Sequence, residues 1–543
     1  MIAFTVLDWI VVALFLAVLG YAAWRAVRVK DETSTDYFLV GRHASFWLIG
    51  TSIFASNIGS EHLVGLAGSG AQTGMALAHW ELQSWIILLL GWVFVPFYWR
   101  SKVFTMPEFV ERRYTGSART FLSFISLVSY VLTKVSVTVY AGGLVMKTVL
   151  GIDEIGGIDF FWIAGIGLVV LTGIYTVLGG MRAVMYTEAL QAPVLLIGSI
   201  ILVVLGFAAA GGVGEVMRLN GDNVHLWRSM SDPEFPWLGI VFGSFIIGFW
   251  YWCTDQYIVQ RVLSAKSLKD ARRGTILAGY LKLAPVFVFL FPGMIAVALD
   301  AQGQIDLTSP DAAFPLLVST LLPAGIKGLV IVALLAALMS SLASLFNSSA
   351  TLFTIDFYKR FRPDTSEAQL VKVGRMATFT VVVLGILWIP LMSLLGGALY
   401  QYLQVVQSLV APGIAAVFLL GVMSKRITPM AGYIGLIAGF VMGMTRLVLL
   451  IAGFDADSGG LFGQIAGMNW LYYCTLLFII TVILMVLVSM VTPRASDEQL
   501  AGLTFGSMSD EDRAELAASK SGWDVFHTVV IIAITIAIYA VFW

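Results

Sequence analysis

Long apolar runs separated by short polar segments dominate this chain. A helix of about 20 apolar residues crosses a hydrocarbon core roughly 30 Å thick, so each such run predicts a transmembrane helix. The first run has no basic region before it and no cleavage site after it, so we expect a retained helix. The sequence predicts an all-α polytopic membrane protein with fourteen transmembrane helices, near residues 8–28, 45–71, 77–99, 120–149, 159–178, 184–210, 237–260, 276–300, 326–354, 370–393, 400–423, 429–451, 469–491 and 523–543.

The charge content excludes several classes of protein. Only 12% of the residues are charged and 59% are hydrophobic, whereas a soluble globular protein carries about 25% charged residues. The 32 Lys and Arg balance 33 Asp and Glu, so no basic field points to a nucleic-acid partner. Cys253 and Cys474 both lie in apolar runs, which argues against a disulfide framework or a zinc cluster.

The distribution of basic residues predicts the orientation in the membrane. Of the 32 Lys and Arg, 25 fall in segments on one side of the predicted spans, four on the other side and three within spans. Because basic loops stay in the cytoplasm, the larger group faces inward and both termini are predicted to be extracytoplasmic. No outward loop carries an N-x-S/T glycosylation acceptor. This favours a location in the plasma membrane, and specifically in a bacterial inner membrane.

Two predicted spans contain polar interruptions that a lipid-facing helix would not tolerate. The second reads FASNIGSEHLVGLAGSG and the seventh reads GFWYWCTDQYIVQR. Irregular backbone at membrane depth occurs only where it is buried in protein or lines a cavity, and transporters place such breaks at matching positions of inverted repeats. The alternative is two polar helices packed inside the bundle.

The five-span separation of these breaks predicts the domain organisation. We expect two inverted five-helix repeats, followed by three further transmembrane helices. A cytoplasmic linker at 492–522 precedes the last of these helices. The predicted units are 1–44 (first helix and cytoplasmic loop), 45–210 (repeat 1), 211–236 (extracellular loop), 237–428 (repeat 2) and 429–543 (C-terminal helices).

The ninth span carries hydroxyl side chains that suit a monovalent cation. Ser340 and Ser341 are adjacent, and Ser344 follows at helical spacing. A site made of hydroxyl groups and main-chain carbonyls of a broken helix, without nearby carboxylates, fits such an ion better than Ca²⁺ or Mg²⁺. The alternative is close helix packing, which small residues also provide.

Ionisable residues within spans indicate a polar pocket, because each costs at least about 2.5–3.5 kcal/mol at the membrane centre. Glu81 and Lys282 could bind hydroxyl groups or form a purely structural pair. With aromatic walls, the pocket favours a sugar or polyol slightly over an amino acid. The residues concerned are Glu81, Lys134, Glu188, Asp255 and Lys282, with Trp80, Tyr251 and Trp252 as walls.

Several blocks of the chain resemble the sodium/glucose cotransporters of the sodium:solute symporter family. They include ASNIGSEHLVGLAGSGAQTG, WYWCTDQYIVQRVLSAKS, GYLKLAPVFVFLFPGM and SSLASLFNSSATLFTIDFY, and the similarity runs from about residue 36 to residue 426. The resemblance implies a LeuT-type fold. It also implies sodium-coupled import of a glucose-like or galactose-like hexose by alternating access, with no cofactor besides Na⁺ and no obligate protein partner.

The resemblance also assigns roles to individual residues. The sodium positions match Ala55, Ile58, Ala337, Ser340 and Ser341. The sugar positions match Asn57, His62, Glu81, Ser84, Lys134, Lys282 and Gln404, and Tyr251, with Trp252 beside it, closes the inner side of the sugar.

Departures from the family pattern sharpen these expectations. Gly248 lacks the polar side chain with which some relatives touch the sugar. Glu188 and Ala343 replace the Asp and the hydroxyl of members that bind a second sodium, although Ser344 keeps part of that site. We therefore predict one sodium per sugar, with Glu188 and Ser344 as a possible second ion or proton site. Glu61 replaces a glycine of many animal relatives, and its role is open.

Three alternatives remain at this point. A sodium symporter for another polar solute, such as sialic acid, inositol or an amino acid, would share the cation residues. A proton-coupled sugar carrier would titrate Glu188 or Asp255. A membrane-embedded enzyme is disfavoured because the chain has no HExxH, CxxC, GxSxG or Walker motif.

Overall fold

A computed structural model describes residues 5–29, 31–59, 61–392 and 399–543, and this part of the chain is mostly helical. Lys30 and the end of the span predicted at 370–393 lie outside it. Within the described residues, eleven helices are long and apolar enough to cross a membrane. They are Val6–Val27, Glu61–Ser101, Phe160–Ala209, Trp237–Thr254, Leu268–Ala301, Ile326–Phe361, Glu367–Leu387, Leu403–Met423, Pro429–Ile451, Trp470–Val491 and Gly522–Val541.

Shorter helices complete the bundle and its loops. A two-stranded antiparallel hairpin, Glu154–Ile155 with Ile158–Asp159, is a small exception to the predicted all-α architecture. The further helices are Ser34–Leu39, Phe46–Asn57, Met106–Arg113, Gly116–Ser129, Ser136–Leu150, Val213–Asn220, Gln256–Leu263, Ala313–Leu321, Gly460–Gly467, Asp497–Leu500 and Asp510–Ala518.

One glycine separates two legs of the longest helical element. Phe160–Ala209 covers the spans predicted at 159–178 and 184–210, and the chain leaves helical geometry at Gly180 (φ 51°, ψ −149°). This φ lies where only glycine is unstrained. A Cβ at this position would also overlap the main-chain oxygen of Tyr37, so both the backbone conformation and the available space require glycine.

Burial distinguishes central helices from peripheral ones. In the most apolar stretch of Ile326–Phe361, 89% of the residues are buried, against 22% in Val6–Val27, Trp470–Val491 and Gly522–Val541. A helix that is apolar all round and buried all round lies at the centre of a bundle. We call Ile326–Phe361 the serine helix, because it carries the serines of the predicted cation site.

A carboxylate fixes the first helix against the start of the serine helix. Asp8 is fully buried, and its Oδ1 accepts the N–H groups of Gly325 and Gly328, both at 2.7 Å. The first N–H groups of a helix have no intrahelical acceptor and carry partial positive charge, so a carboxylate satisfies them well.

The loop before Ala313–Leu321 contains a carboxylate in an unfavourable setting. Asp311 packs against Gly68, and its Oδ1 is buried with no hydrogen-bond partner among the described residues. Desolvation raises the pKa of Asp311 from 3.8 to about 6. The folded state therefore holds a proton that the unfolded state releases at lower pH, and stability falls as the pH rises from about 4 to 6.

We predict that Asp311→Asn raises the thermal midpoint of the detergent-solubilised protein at pH 7.5, where the wild-type carboxyl is charged. At pH 4.5, where that carboxyl is largely protonated, the gain should shrink. Asp306→Asn, which changes an exposed residue of the same loop, serves as the control. An equal gain at both pH values would contradict the assignment.

Candidate functional site

The site begins at a break in the middle of a buried helix. Phe46–Asn57 ends where Ile58 turns to an extended conformation (φ −89°, ψ 106°), and helical structure resumes at Glu61 and continues to Thr73. We call these two halves the first broken helix. Carbonyls at the end of the first half lose their intrahelical partners and carry partial negative charge, which favours a cation.

The serine helix supplies hydroxyl groups directly opposite these carbonyls. Ser340 Oγ lies 2.8 Å from the oxygen of Ala55 and 2.9 Å from that of Ala337, and Ser341 Oγ lies 3.2 Å from the oxygen of Ser56. All of these residues are buried. Neutral oxygens that converge in this way fit a sodium ion and would not compensate a divalent cation.

A second broken helix faces the first. Trp237–Thr254 ends at Asp255, which is extended (φ −74°, ψ 128°), and the Asp255 carboxylate caps the following helix Gln256–Leu263. That carboxylate also pairs with Lys134 at 3.2 Å and accepts the hydroxyl of Tyr130. Tyr257, in the second half, donates its hydroxyl to the carbonyl of Ser56 and so connects the two broken helices.

A polar cavity lies between the two broken helices and the helices beside them; we call it the central cavity. Trp80, Trp252 and Tyr251 give it aromatic walls, and amide and charged groups line the rest. Its lining comprises Asn57, Glu61, His62, Trp80, Gln83, Lys134, Thr138, Ile247, Gly248, Tyr251, Trp252, Tyr257, Lys282, Ser341, Leu345, Leu403, Gln404 and Gln407.

An ion pair stands at one side of the central cavity. Lys282 Nζ lies 2.6 Å from Glu81 Oε2, and both residues are buried. The ammonium also lies 5.3 Å from the ring centre of Trp252, whose indole N–H donates to Gln83 Oε1 at 3.1 Å. A charged pair and an amide are thereby held in fixed positions beside an aromatic surface.

The structure brings most of the predicted substrate residues together. Seven of them line the central cavity: Asn57, His62, Lys134, Tyr251, Trp252, Lys282 and Gln404. Glu81 is positioned through Lys282, and Ser84 is buried outside the lining. Of the predicted sodium residues, Ser340 contacts the carbonyls of both Ala55 and Ala337. Ser341 contacts Ser56, and Ile58 lies at the break.

Gln83 is a lining residue that sequence reasoning missed. A Cβ on Gly248 would overlap its side-chain amide, so this amide takes the space that a polar side chain at 248 would need. Its position two residues after Glu81 was the available signal. Thr138, Tyr257 and Gln407 also line the cavity without having been predicted to do so.

The predicted second ion site contains a fixed guanidinium. Arg261 lies 3.2 Å from Glu188 Oε1 and also donates to Ser344 and Ser52, and all four side chains are buried. Glu188 further accepts the Ser56 hydroxyl at 2.9 Å. The positive charge that balances Glu188 is thus supplied by Arg261, a residue of the chain itself.

These features define a membrane transporter in which a broken helix meets the serine helix beside a polar cavity. A model of the sodium:solute symporter family matches residues 37–439. The chain therefore belongs to the sodium:solute symporter family.

Proteins with similar sequences are named as sodium-coupled cotransporters. Human sodium/glucose cotransporter 4 is 39% identical over 534 residues, which is 91% of this chain and 77% of that protein. Mouse sodium/myo-inositol cotransporter 2 is 38% identical over 91% of this chain and 78% of its own length. Rabbit sodium/glucose cotransporter 1 is 37% identical over 94% and 83%, respectively.

Solved structures share the fold. A substrate-bound, outward-open sodium-coupled sialic acid symporter aligns with a TM-score of 0.74 at 21% identity, covering 91% of this chain and 99% of that one. A nucleobase-cation-symport-1 family transporter in a closed conformation aligns with a TM-score of 0.51 at 15% identity, covering 87% and 98%. The predicted LeuT-type helical fold is therefore confirmed, whereas the count of fourteen membrane-spanning helices stays a prediction.

The buried pair of Glu81 and Lys282 leads to a stability prediction. Lys282→Met removes the ammonium that pairs with the buried Glu81 carboxylate and should destabilise the protein by about 3–5 kcal/mol. The double variant Glu81→Gln/Lys282→Met should recover much of this loss. Chemical denaturation in detergent measures the differences.

Lys147→Met is the matched control, because it breaks the partly exposed pair that Lys147 forms with Asp159 at 2.8 Å. Such a pair contributes about 0–1 kcal/mol. Equal effects of the two lysine substitutions would contradict a buried structural pair at Lys282.

Proposed function

We propose that this protein is a sodium-coupled symporter that imports a neutral hexose, or a polyol of similar size, by alternating access. The observation that carries the proposal is a set of buried polar atoms without hydrogen-bond partners among the described residues. They are Trp80 Nε1 and Gln404 Oε1, which both lie in the lining of the central cavity. Buried polar groups cost free energy unless they are hydrogen-bonded. These atoms therefore favour a ligand that both donates and accepts hydrogen bonds.

The charges in the central cavity favour a neutral solute. Lys134 and Lys282 are the cations of its lining, and each pairs with a carboxylate, Asp255 or Glu81. An anionic solute such as sialic acid would have to displace one of these carboxylates. A polyhydroxylated ring needs no such exchange, because hydroxyl groups bind to both members of a pair. Relatives named for glucose and myo-inositol support this class.

Sodium binding gives the transport cycle its direction. An ion held by the carbonyls of Ala55 and Ile58 and the hydroxyls of Ser340 and Ser341 would link the first broken helix to the serine helix. Asn57 lies within the same turn as Ala55 and lines the central cavity, so fixing this backbone prepares the sugar site. Tyr251, on the opposite wall, would then move aside to open the inner path.

The buried guanidinium of Arg261 supplies the positive charge at Glu188 and so supports a stoichiometry of one sodium per sugar. One charge crossing 100 mV provides about 2.3 kcal/mol, and a tenfold sodium gradient adds about 1.4 kcal/mol. Together these support sugar accumulation of several hundredfold. The same pair argues against Glu188 as the titrating group of a proton-coupled carrier.

The proposal includes fourteen membrane crossings and two inverted repeats, 45–210 and 237–428. The count is supported by adding three spans to the eleven apolar helices. The two legs of Phe160–Ala209 count separately, Glu61–Ser101 divides between the first broken helix and the span after it, and the helices from Gly116–Ser129 to Ser136–Leu150 form one further span. The excess of basic residues in one set of loops supports extracytoplasmic termini and a plasma-membrane location. The animal relatives leave the bacterial inner membrane as a prediction from sequence.

Transport into proteoliposomes tests the function directly. We expect inward sodium gradients to drive uptake of labelled glucose or galactose, with saturation in sodium at a Hill coefficient near one. Substitution of choline for sodium should abolish accumulation. Equal uptake in choline would overturn sodium coupling, and dependence on a proton gradient instead would favour the proton-coupled alternative.

The cation site predicts the effect of a single hydroxyl. Ser340→Ala should raise the sodium concentration for half-maximal uptake about tenfold, because one ligand oxygen is lost from the proposed site. The maximal rate at saturating sodium should change less. Ser319→Ala is the matched control, since that partly buried hydroxyl donates to the carbonyl of Leu316 in its own helix and to no other group among the described residues. A similar sodium dependence in both variants would refute the assignment.

A further inference from the structure

Glu61 occupies an unusual position for a carboxylate. It is the first residue of the second half of the first broken helix, and only 9% of its surface is exposed. Its carboxylate folds back over Gly59, where it leaves no room for a Cβ. It therefore lies against Gly59, the residue that follows Ile58.

When ionised, Glu61 is an excess negative charge among the charged groups around the central cavity. Glu81 pairs with Lys282 and Asp255 pairs with Lys134, so two of the three carboxylates are compensated. Lys134 also lies within electrostatic range of Glu61, but its ammonium is already bound to Asp255.

The neighbouring histidine does not supply the missing positive charge. His62 Nδ1 lies 3.8 Å from Glu61 Oε1, beyond hydrogen-bond distance. The same nitrogen accepts the N–H of Gly59 at 3.4 Å, which requires a lone pair and hence an unprotonated Nδ1. A buried carboxylate without a compensating cation is costly, so this arrangement favours a cation that binds nearby.

We propose that Glu61 is the electrostatic countercharge of the coupling sodium, raising its affinity from outside the ring of ligand oxygens. This inference rests on the proposed function, in which the carbonyl of Ile58 is a sodium ligand. With sodium bound, the four charged groups of the two pairs, Glu61 and the ion sum to zero. An interaction between unit charges a few ångströms apart remains strong where the effective dielectric constant is low.

Sodium binding measured without transport tests the proposal. Purified protein in detergent is titrated with ²²Na⁺ in a scintillation proximity assay, in the absence of sugar. We expect Glu61→Gln, which keeps the shape and removes the charge, to weaken sodium binding about tenfold. Glu61→Asp keeps the charge and should stay within about threefold of wild type. Glu215→Gln, the same exchange at a partly exposed residue of the helix Val213–Asn220, is the matched control.

Sugar titrations at saturating sodium separate this role from direct sugar binding. The KM for sugar of Glu61→Gln should remain within about twofold of wild type. Unchanged sodium binding together with a raised sugar KM would overturn the proposal and make Glu61 a sugar ligand.

Two further outcomes keep the interpretation clear. If Glu61→Gln does not fold, Glu61→Gly removes the charge together with the side chain and must show the same loss of sodium affinity. If wild-type protein binds no sodium at all, the proposed function fails, whereas normal wild-type binding that Glu61→Gln leaves unchanged overturns only the role of Glu61.

Discussion

The structure depends on how the main chain is satisfied where the first broken helix stops. Because the chain leaves helical geometry at Ile58, the carbonyls of Ala55 and Ser56 cannot bond within their own helix. Each unsatisfied backbone group inside a membrane costs several kcal/mol. Ser340, Ser341 and Tyr257 provide hydroxyls to these carbonyls, so the break is stable only where the serine helix and the second broken helix meet it.

Buried ion pairs add a second set of constraints around this point. The pairs Glu81 with Lys282, Lys134 with Asp255 and Glu188 with Arg261 each join one helix before residue 210 to another after residue 237. Breaking one leaves an uncompensated charge, which is costlier than losing any single apolar contact. Movements that open the central cavity must therefore keep these pairs or exchange one carboxylate partner for a ligand hydroxyl.

Much of this arrangement could be read from the sequence, because membrane burial makes polar residues conspicuous. The interruptions after Asn57 and at Asp255, the serines of the ninth span and the charges at 81, 134 and 282 all stand out against apolar surroundings. The family and sodium-coupled symport predicted from these motifs are confirmed by the comparisons. The roles of individual residues stay predictions.

What the sequence did not reveal depends on packing between distant helices. Arg261 follows Asp255 at a position typical of a cytoplasmic loop, and only the folded chain brings its guanidinium to Glu188. Gln83 fills space beside Gly248 because the two helices approach closely there, a distance that spacing along one helix does not determine. Long side chains choose partners by three-dimensional proximity, so their pairing is the least predictable part of such a site.

Coupling between ion and solute follows from the shared first broken helix. The carbonyl of Ala55 faces the serine helix, while the side chains of Asn57 and His62, within seven residues, line the central cavity. An ion that orders this short non-helical stretch removes conformational freedom that the solute would otherwise have to restrict, and the solute does the same for the ion. Because the coupling is reciprocal, it needs no direct contact between the ion and the solute.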